Sequence, residues 1–85
     1  MTVEEQYARQ QQIVAERVLI LRRRQRIEQT DLSRRIGRGR NWVNRLENYR
    51  AEAGLSDVHA LARELGTSDK YLLGYSNDPN DGASA

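Results

Sequence analysis

The side chains best suited to chemistry lie in residues 29–48, where groups that form two hydrogen bonds at once follow a helical spacing. Val43 and Leu46 are three positions apart and predict the buried side of a helix over residues 40–48. Its outer face then carries Arg40, Asn41, Asn44, Arg45 and Asn48. Arginine matches the two acceptors of a guanine edge and asparagine matches adenine, so this face predicts insertion into the major groove of DNA.

A helix and a tight turn precede that face. Leu32 and Ile36 are four positions apart on one side of the earlier helix, and the small Ser33 stands where two helices must cross closely. Gly37 supplies the left-handed residue with which many helices end. Residues 29–48 therefore predict a helix-turn-helix unit.

The positive charge of the chain is concentrated on this unit and on the stretch leading into it. The 85 residues carry a net charge of +2, yet residues 17–50 hold eleven arginines against three acidic residues, a balance of +8. Residues 1–16 sum to −2 and residues 51–85 to −4. A GC-rich genome would explain the preference for arginine over lysine as well as a phosphate partner would. It does not explain the clustering.

The composition excludes several other functions. A domain of this size buries only about 60 to 65% of its extended surface, which leaves little room for a catalytic cleft. The chain has no cysteine and one histidine, His59, so we expect no enzyme activity, no metal and no cofactor. The longest strongly apolar run covers residues 18–21, so we expect no membrane span and a cytoplasmic location.

The remaining pattern predicts an all-α domain of five helices. Thr2 followed by Glu5 is a capping-box start, and nothing breaks the first helix before about Arg24. The other four helices are expected at residues 28–36, 40–48, about 55–65 and, after Ser68, about 69–73. Residues 1–12 are a polar extension of the first helix, either a solvated projection or a partner contact.

The domain is expected to span residues 1–75. The remaining residues, 76–85, are small and polar and include Pro79, so we predict a flexible tail.

Motifs along residues 13–79 occur in a familiar order. They are Leu21 and Arg22; Gln29, Leu32, Ser33, Ile36 and Gly37; Val43, Leu46 and Glu47; and Leu61, Ala62, Leu65, Gly66, Leu72 and Leu73. Together they resemble the lambda-repressor-like, Cro/C1-type (XRE) helix-turn-helix proteins. The resemblance implies that family's five-helix DNA-binding fold, here with an extended N-terminal helix. It also implies a phage-type repressor that acts in a bacterial or phage-infected cell.

The resemblance implies roles for single residues. The positions that match base-contacting ones are Arg40, Asn41, Asn44 and Arg45. Gln29, Asn48 and Arg50 match positions that hold phosphates, and Gln29 would also brace a side chain of the third helix. Arg22 and Glu47 match a structural ion pair that joins the first helix to the third.

Some positions depart from the family pattern. Arg38 replaces an apolar residue, so either its head contacts a phosphate while its stem packs, or the turn is looser. Trp42 is expected to contact DNA at a phosphate, with its ring stacked on a sugar or a thymine methyl, and packing against the second helix is the alternative. Arg26 and Tyr49 replace glycines, and Asn48 is an alternative to Tyr49 for the left-handed position.

Two functions remain open at this level. The first is a sequence-specific regulator of transcription, most simply a repressor, with double-stranded DNA as its partner. The alternative is an antitoxin or adaptor that uses the fold to bind another protein, which the acidic, polar residues 1–16 motivate. Family analogy favours a homodimer with half-sites about 34 to 36 Å apart, and the chain also fits a monomer or part of a longer repressor.

Overall fold

Five α-helices, joined by short loops, form the structure, a computed structural model that describes residues 1–81. They are α1 (Val3–Arg24), α2 (Gln29–Arg35), α3 (Trp42–Glu47), α4 (Leu55–Leu65) and α5 (Asp69–Leu73). No strand occurs within this part of the chain. The predicted all-α, five-helix fold is therefore confirmed. No helix in residues 1–81 is both long and apolar enough to cross a membrane.

The first helix begins at the predicted cap. The hydroxyl of Thr2 accepts a hydrogen bond from the backbone N–H of Glu5 at 3.1 Å, which gives one of the unpaired donors of the first turn a partner. Acidic residues occupy the first turn of α1 and arginines the last turn, as the helix dipole favours. The chain leaves the helix through Arg26, whose φ of 57° is left-handed.

The helix-turn-helix unit depends on Ser33, which is fully buried between α2 and α3. Its hydroxyl donates to the carbonyl of Gln29 at 2.8 Å and accepts from the backbone N–H of Val43 at 2.9 Å. A residue of α2 thus satisfies a donor in the first turn of α3, since the Asn41 side chain makes no capping hydrogen bond. Gly37, with a φ of 77°, takes the predicted left-handed position in the turn.

The third helix is shorter than predicted. It begins at Trp42 and ends at Glu47, whereas the spacing predicted residues 40–48. Arg40 and Asn41 lie in the turn that precedes it. Arg40 and Asn41 therefore stand at the N-terminal tip of α3, just before its first turn.

One apolar core joins all five helices. Its fully buried members include Val14 and Val18 of α1, Leu32 of α2, Leu46 of α3, Leu61 of α4 and Leu72 of α5. Each such side chain contributes about 1.5 to 3 kcal/mol through burial. The apolar sides of α2 and α3 are thereby fixed, and their polar sides face solvent.

The N-terminal half of α1 lies against the chain's own loop. Gln11 exchanges two hydrogen bonds with the backbone of Ala53, at 2.9 and 2.8 Å, and the hydroxyl of Tyr7 donates to Glu52 at 3.0 Å. Tyr7 and Gln11 are therefore tied to the chain's own loop, while residues 1–9 and Gln12 are exposed. The choice between a solvated projection and a partner contact for the exposed residues stays a prediction.

The segment after α5 is also attached. The Arg17 guanidinium donates to the carbonyls of Tyr71 and Ser76, and the hydroxyl of Thr67 donates to the carbonyl of Pro79 at 2.6 Å. Two backbone carbonyls of the predicted tail, those of Ser76 and Pro79, are therefore bonded to the body of the domain, and the flexibility of the tail stays a prediction. Residues 82–85 of that tail lie outside the described residues.

Candidate nucleic-acid interface

A shallow concavity of about 340 Å³ opens at the tip of α3. It is lined by Arg38, Gly39, Arg40, Asn41, Trp42 and Arg45. Three of the four residues predicted to contact bases therefore share one surface. Arg40 and Asn41 come from the turn and Arg45 from the second turn of α3, and all three are exposed. The fourth, Asn44, is exposed on the side of α3 that faces α2.

Asn44 is held by a side chain of α2. Its amide nitrogen donates to the amide oxygen of Gln29 at 3.1 Å, while the amide nitrogen of Gln29 donates to Glu47 at 2.8 Å. Gln29 thus takes the bracing position that the resemblance implied. One amide hydrogen of Gln29 remains available for a phosphate.

The brace ends on a buried ion pair. Nε and Nη2 of Arg22 donate to the two carboxylate oxygens of Glu47 at 2.7 and 2.9 Å, and Nη1 donates to the carbonyl of Ile27 at 3.0 Å. Only 12% of the Arg22 side chain and 4% of the Glu47 side chain are exposed. The hydrogen bond to Glu47 raises the pKa of Arg22 above its ordinary value. The pair implied by the resemblance is present and connects α1 to α3.

A second ion pair, which sequence reasoning missed, joins the turn to α4. Nε and Nη2 of Arg38 donate to the carboxylate of Asp57 at 2.9 and 2.7 Å. The same carboxylate accepts from the N–H of Gly54 at 3.0 Å. The bond to Arg38 is the main reason that the pKa of Asp57 is lowered, although burial opposes it. In the sequence, Asp57 is recognisable only as the third residue of α4, a position that indicates helix capping and not an ion pair with Arg38.

Trp42 is part of the core. Its side chain is only 9% exposed, and the Arg38 guanidinium lies 4.9 Å from the centre of its ring. This burial favours the packing alternative, yet Trp42 also lines the concavity, and its contact with DNA stays a prediction. Nε and Nη2 of Arg38 each donate one hydrogen bond to Asp57, which leaves the two N–H groups of Nη1 and the second N–H of Nη2 for other acceptors.

The far end of α3 carries the other predicted phosphate contacts. Asn48 and Arg50 are both exposed. The Asn48 amide nitrogen donates to the carbonyl of Asn44 at 2.8 Å, and Nη2 of Arg45 donates to the carbonyl of Arg50 at 3.3 Å. Tyr49, with a φ of 61°, takes the left-handed position there, while Asn48 has a φ of −98°. Asn48 is therefore not the left-handed residue.

Comparison with known protein families gives a match. A family model described as a helix-turn-helix domain matches residues 13–72, from the middle of α1 into α5. No curated protein and no solved structure matches the chain. No group of His, Asp and Glu side chains in residues 1–81 is arranged to hold a metal ion. Because the match includes all of α2, α3 and α4 and well over half of the sequence, the chain belongs to the helix-turn-helix domain family.

Proposed function

We propose that the chain is a sequence-specific regulator of transcription, a Cro/C1-type repressor that presents the tip and outer side of α3 to the major groove. Membership of the helix-turn-helix family supports binding to double-stranded DNA. The observation that carries the proposal is the shared concavity of Arg40, Asn41 and Arg45 at the tip of α3. The opposite side of α3 is anchored in the core by Val43 and Leu46.

Each of these side chains has a partner of matching chemistry on a base edge. The forked guanidinium groups of Arg40 and Arg45 suit O6 and N7 of guanine, and the amide of Asn41 suits N6 and N7 of adenine. Asn44 adds a base-contacting side chain that moves less, because its hydrogen bond to Gln29 fixes its orientation before DNA binds. Its amide oxygen is then left to accept from adenine N6 or cytosine N4.

Phosphate contacts surround this group in the proposed complex. Gln29 stands at one side of α3, and Asn48 and Arg50 stand at its far end. Arg38 contributes through the N–H groups that its pairing with Asp57 leaves, two on Nη1 and one on Nη2.

The size of the domain supports binding as a pair. Its extents are 35 × 30 × 20 Å, and half-sites on neighbouring turns of DNA are about 34 to 36 Å apart. Two copies would therefore fit side by side on one face of the duplex.

Selection of bound duplexes from a random pool, at about 0.15 M salt, tests the proposal. An enriched motif is expected, palindromic for a dimer and asymmetric for a monomer. On the selected site, Arg45→Ala should cost about 1 to 3 kcal/mol and relax the preference at one base pair. Arg63→Ala, which removes an exposed charge from α4, is the matched control and should bind with little change. No enrichment, or equal losses by Arg45→Ala on selected and scrambled DNA, would overturn base reading.

The antitoxin or adaptor function is not proposed. It was motivated by the polar extension of α1, and Tyr7 and Gln11 of that extension bond to Glu52 and Ala53 within the same chain. Those bonds give the polar residues a role that needs no protein partner.

A further inference from the structure

A second concavity adjoins the one at the tip of α3. It measures about 290 Å³ and is lined by Thr30 and Arg34 of α2 and by Arg40 of the turn. Arg40 also lines the first concavity, so the two surfaces meet at its side chain. Two of the three lining residues are arginines, the third carries a hydroxyl group, and none is acidic.

The charge of Arg34 is only weakly compensated within the protein. Its closest carboxylate is that of Asp31, at 3.9 Å, and 73% of its side chain is exposed. The other oxygen of Asp31 accepts a hydrogen bond from Arg35 at 2.8 Å. Asp31 is therefore mainly the partner of Arg35, and the guanidinium of Arg34 is available for an external anion.

We propose that Thr30 and Arg34 bind a phosphate of the DNA backbone, adjacent to the base pair that Arg40 contacts. The inference rests on the proposed DNA-binding function and adds a contact that the family resemblance did not imply. A guanidinium fork and a hydroxyl donate to separate oxygens of one phosphate.

The test compares Arg34→Gln with Arg35→Gln, two variants with the same loss of charge on neighbouring positions of α2. Binding to the selected duplex is measured by fluorescence anisotropy from 0.05 to 0.2 M salt. One lost phosphate contact lowers the slope of log K against log salt by about 0.9, so wild-type affinity should fall about 3.5-fold more than that of Arg34→Gln over this range. Arg35→Gln should keep the wild-type slope, because Arg35 bonds to Asp31 and lines a different surface with Ile36 and Arg63.

A chemical change in the DNA locates the contact. Single methylphosphonates, which are neutral, are placed in turn along the flank of the selected site. At one position the wild type should lose affinity while Arg34→Gln does not, and Thr30→Val should show a smaller version of the same pattern. Equal salt slopes for the two glutamine variants, or no position where their responses differ, would overturn the phosphate site. A wild-type protein that binds no duplex would instead overturn the proposed function itself.

Discussion

Removal of Glu47 should destabilise the protein far more than its single charge suggests. The variant Glu47→Ala leaves Arg22 buried with one remaining acceptor, the carbonyl of Ile27. It also takes the acceptor from the amide of Gln29. Breaking a buried pair by removing one partner costs about 3 to 5 kcal/mol. A chain of 85 residues has a total stability of about 4 to 13 kcal/mol, so the loss is a large part of the whole.

Urea denaturation at pH 7, followed by circular dichroism at 222 nm, measures this loss. Glu64→Ala serves as the control, because Glu64 is exposed on α4 and its removal should change the stability by no more than about 0.5 kcal/mol. The double variant Arg22→Met/Glu47→Leu replaces both charges with apolar groups of similar length. It should lose only about 1 to 2 kcal/mol, from the hydrogen bonds of Ile27 and Gln29 that have no replacement.

The comparison between single and double variants decides the cause. If the double variant is as unstable as Glu47→Ala, the cost does not come from an unpaired buried arginine. If Glu47→Ala loses less than about 1 kcal/mol, water reaches the pair, and the link between α1 and α3 contributes little.

The other predictions concern left-handed residues and pH. Arg26→Gly should stabilise the protein by about 0.5 to 1 kcal/mol, because relief of about 1 to 2 kcal/mol of backbone strain exceeds the added entropy of the unfolded glycine. Tyr49→Gly should gain less, since it also removes the hydrogen bond from Tyr49 to Glu16 at 3.4 Å; a lower thermal midpoint for Arg26→Gly would contradict the reasoning. The pKa of Asp57 is lower in the folded state than its ordinary 3.8, so its ionised form stabilises the fold above about pH 4. That contribution should fade as the pH falls through the folded pKa, and urea midpoints between pH 7 and 3 should decline less steeply for Asp57→Asn. Parallel curves would argue against the Arg38 pair as a source of stability.

Local rules predicted most of the fold. Thr2 and Ser68 cap helices with their own hydroxyls, and Gly37 turns left-handed, because each depends on neighbours within a few residues. The spacing of apolar residues predicts that α3 starts at residue 40, two residues before its actual start at Trp42. Its first-turn donor at Val43 is satisfied by Ser33, which lies ten residues earlier and on another helix. The residues next to α3 in the sequence do not indicate this contact, because its acceptor belongs to α2.

The interface was less predictable than the fold. The outer positions of α3 followed from helical spacing, but the pairing of Arg38 with Asp57 joins residues nineteen apart and depends on how α4 packs. That pairing and the burial of Trp42 give both Arg38 and Trp42 a structural role that the sequence alone did not indicate. The positions of Arg26 and Tyr49 were also ambiguous, because residue type alone disfavours the conformation that both adopt.

The hydrogen bonds that run from Arg22 through Glu47 and Gln29 to Asn44 have a consequence for how this protein could diversify. A substitution at Asn44 removes the partner of Gln29, and a substitution at Gln29 removes a donor from a nearly inaccessible carboxylate. If α3 reads bases as proposed, new base preferences should therefore arise first at Arg40 and Asn41, which stand in the turn before α3. Variants of this chain would then change the DNA sequence they bind through residues at the tip of α3, while the middle of the helix stays the same.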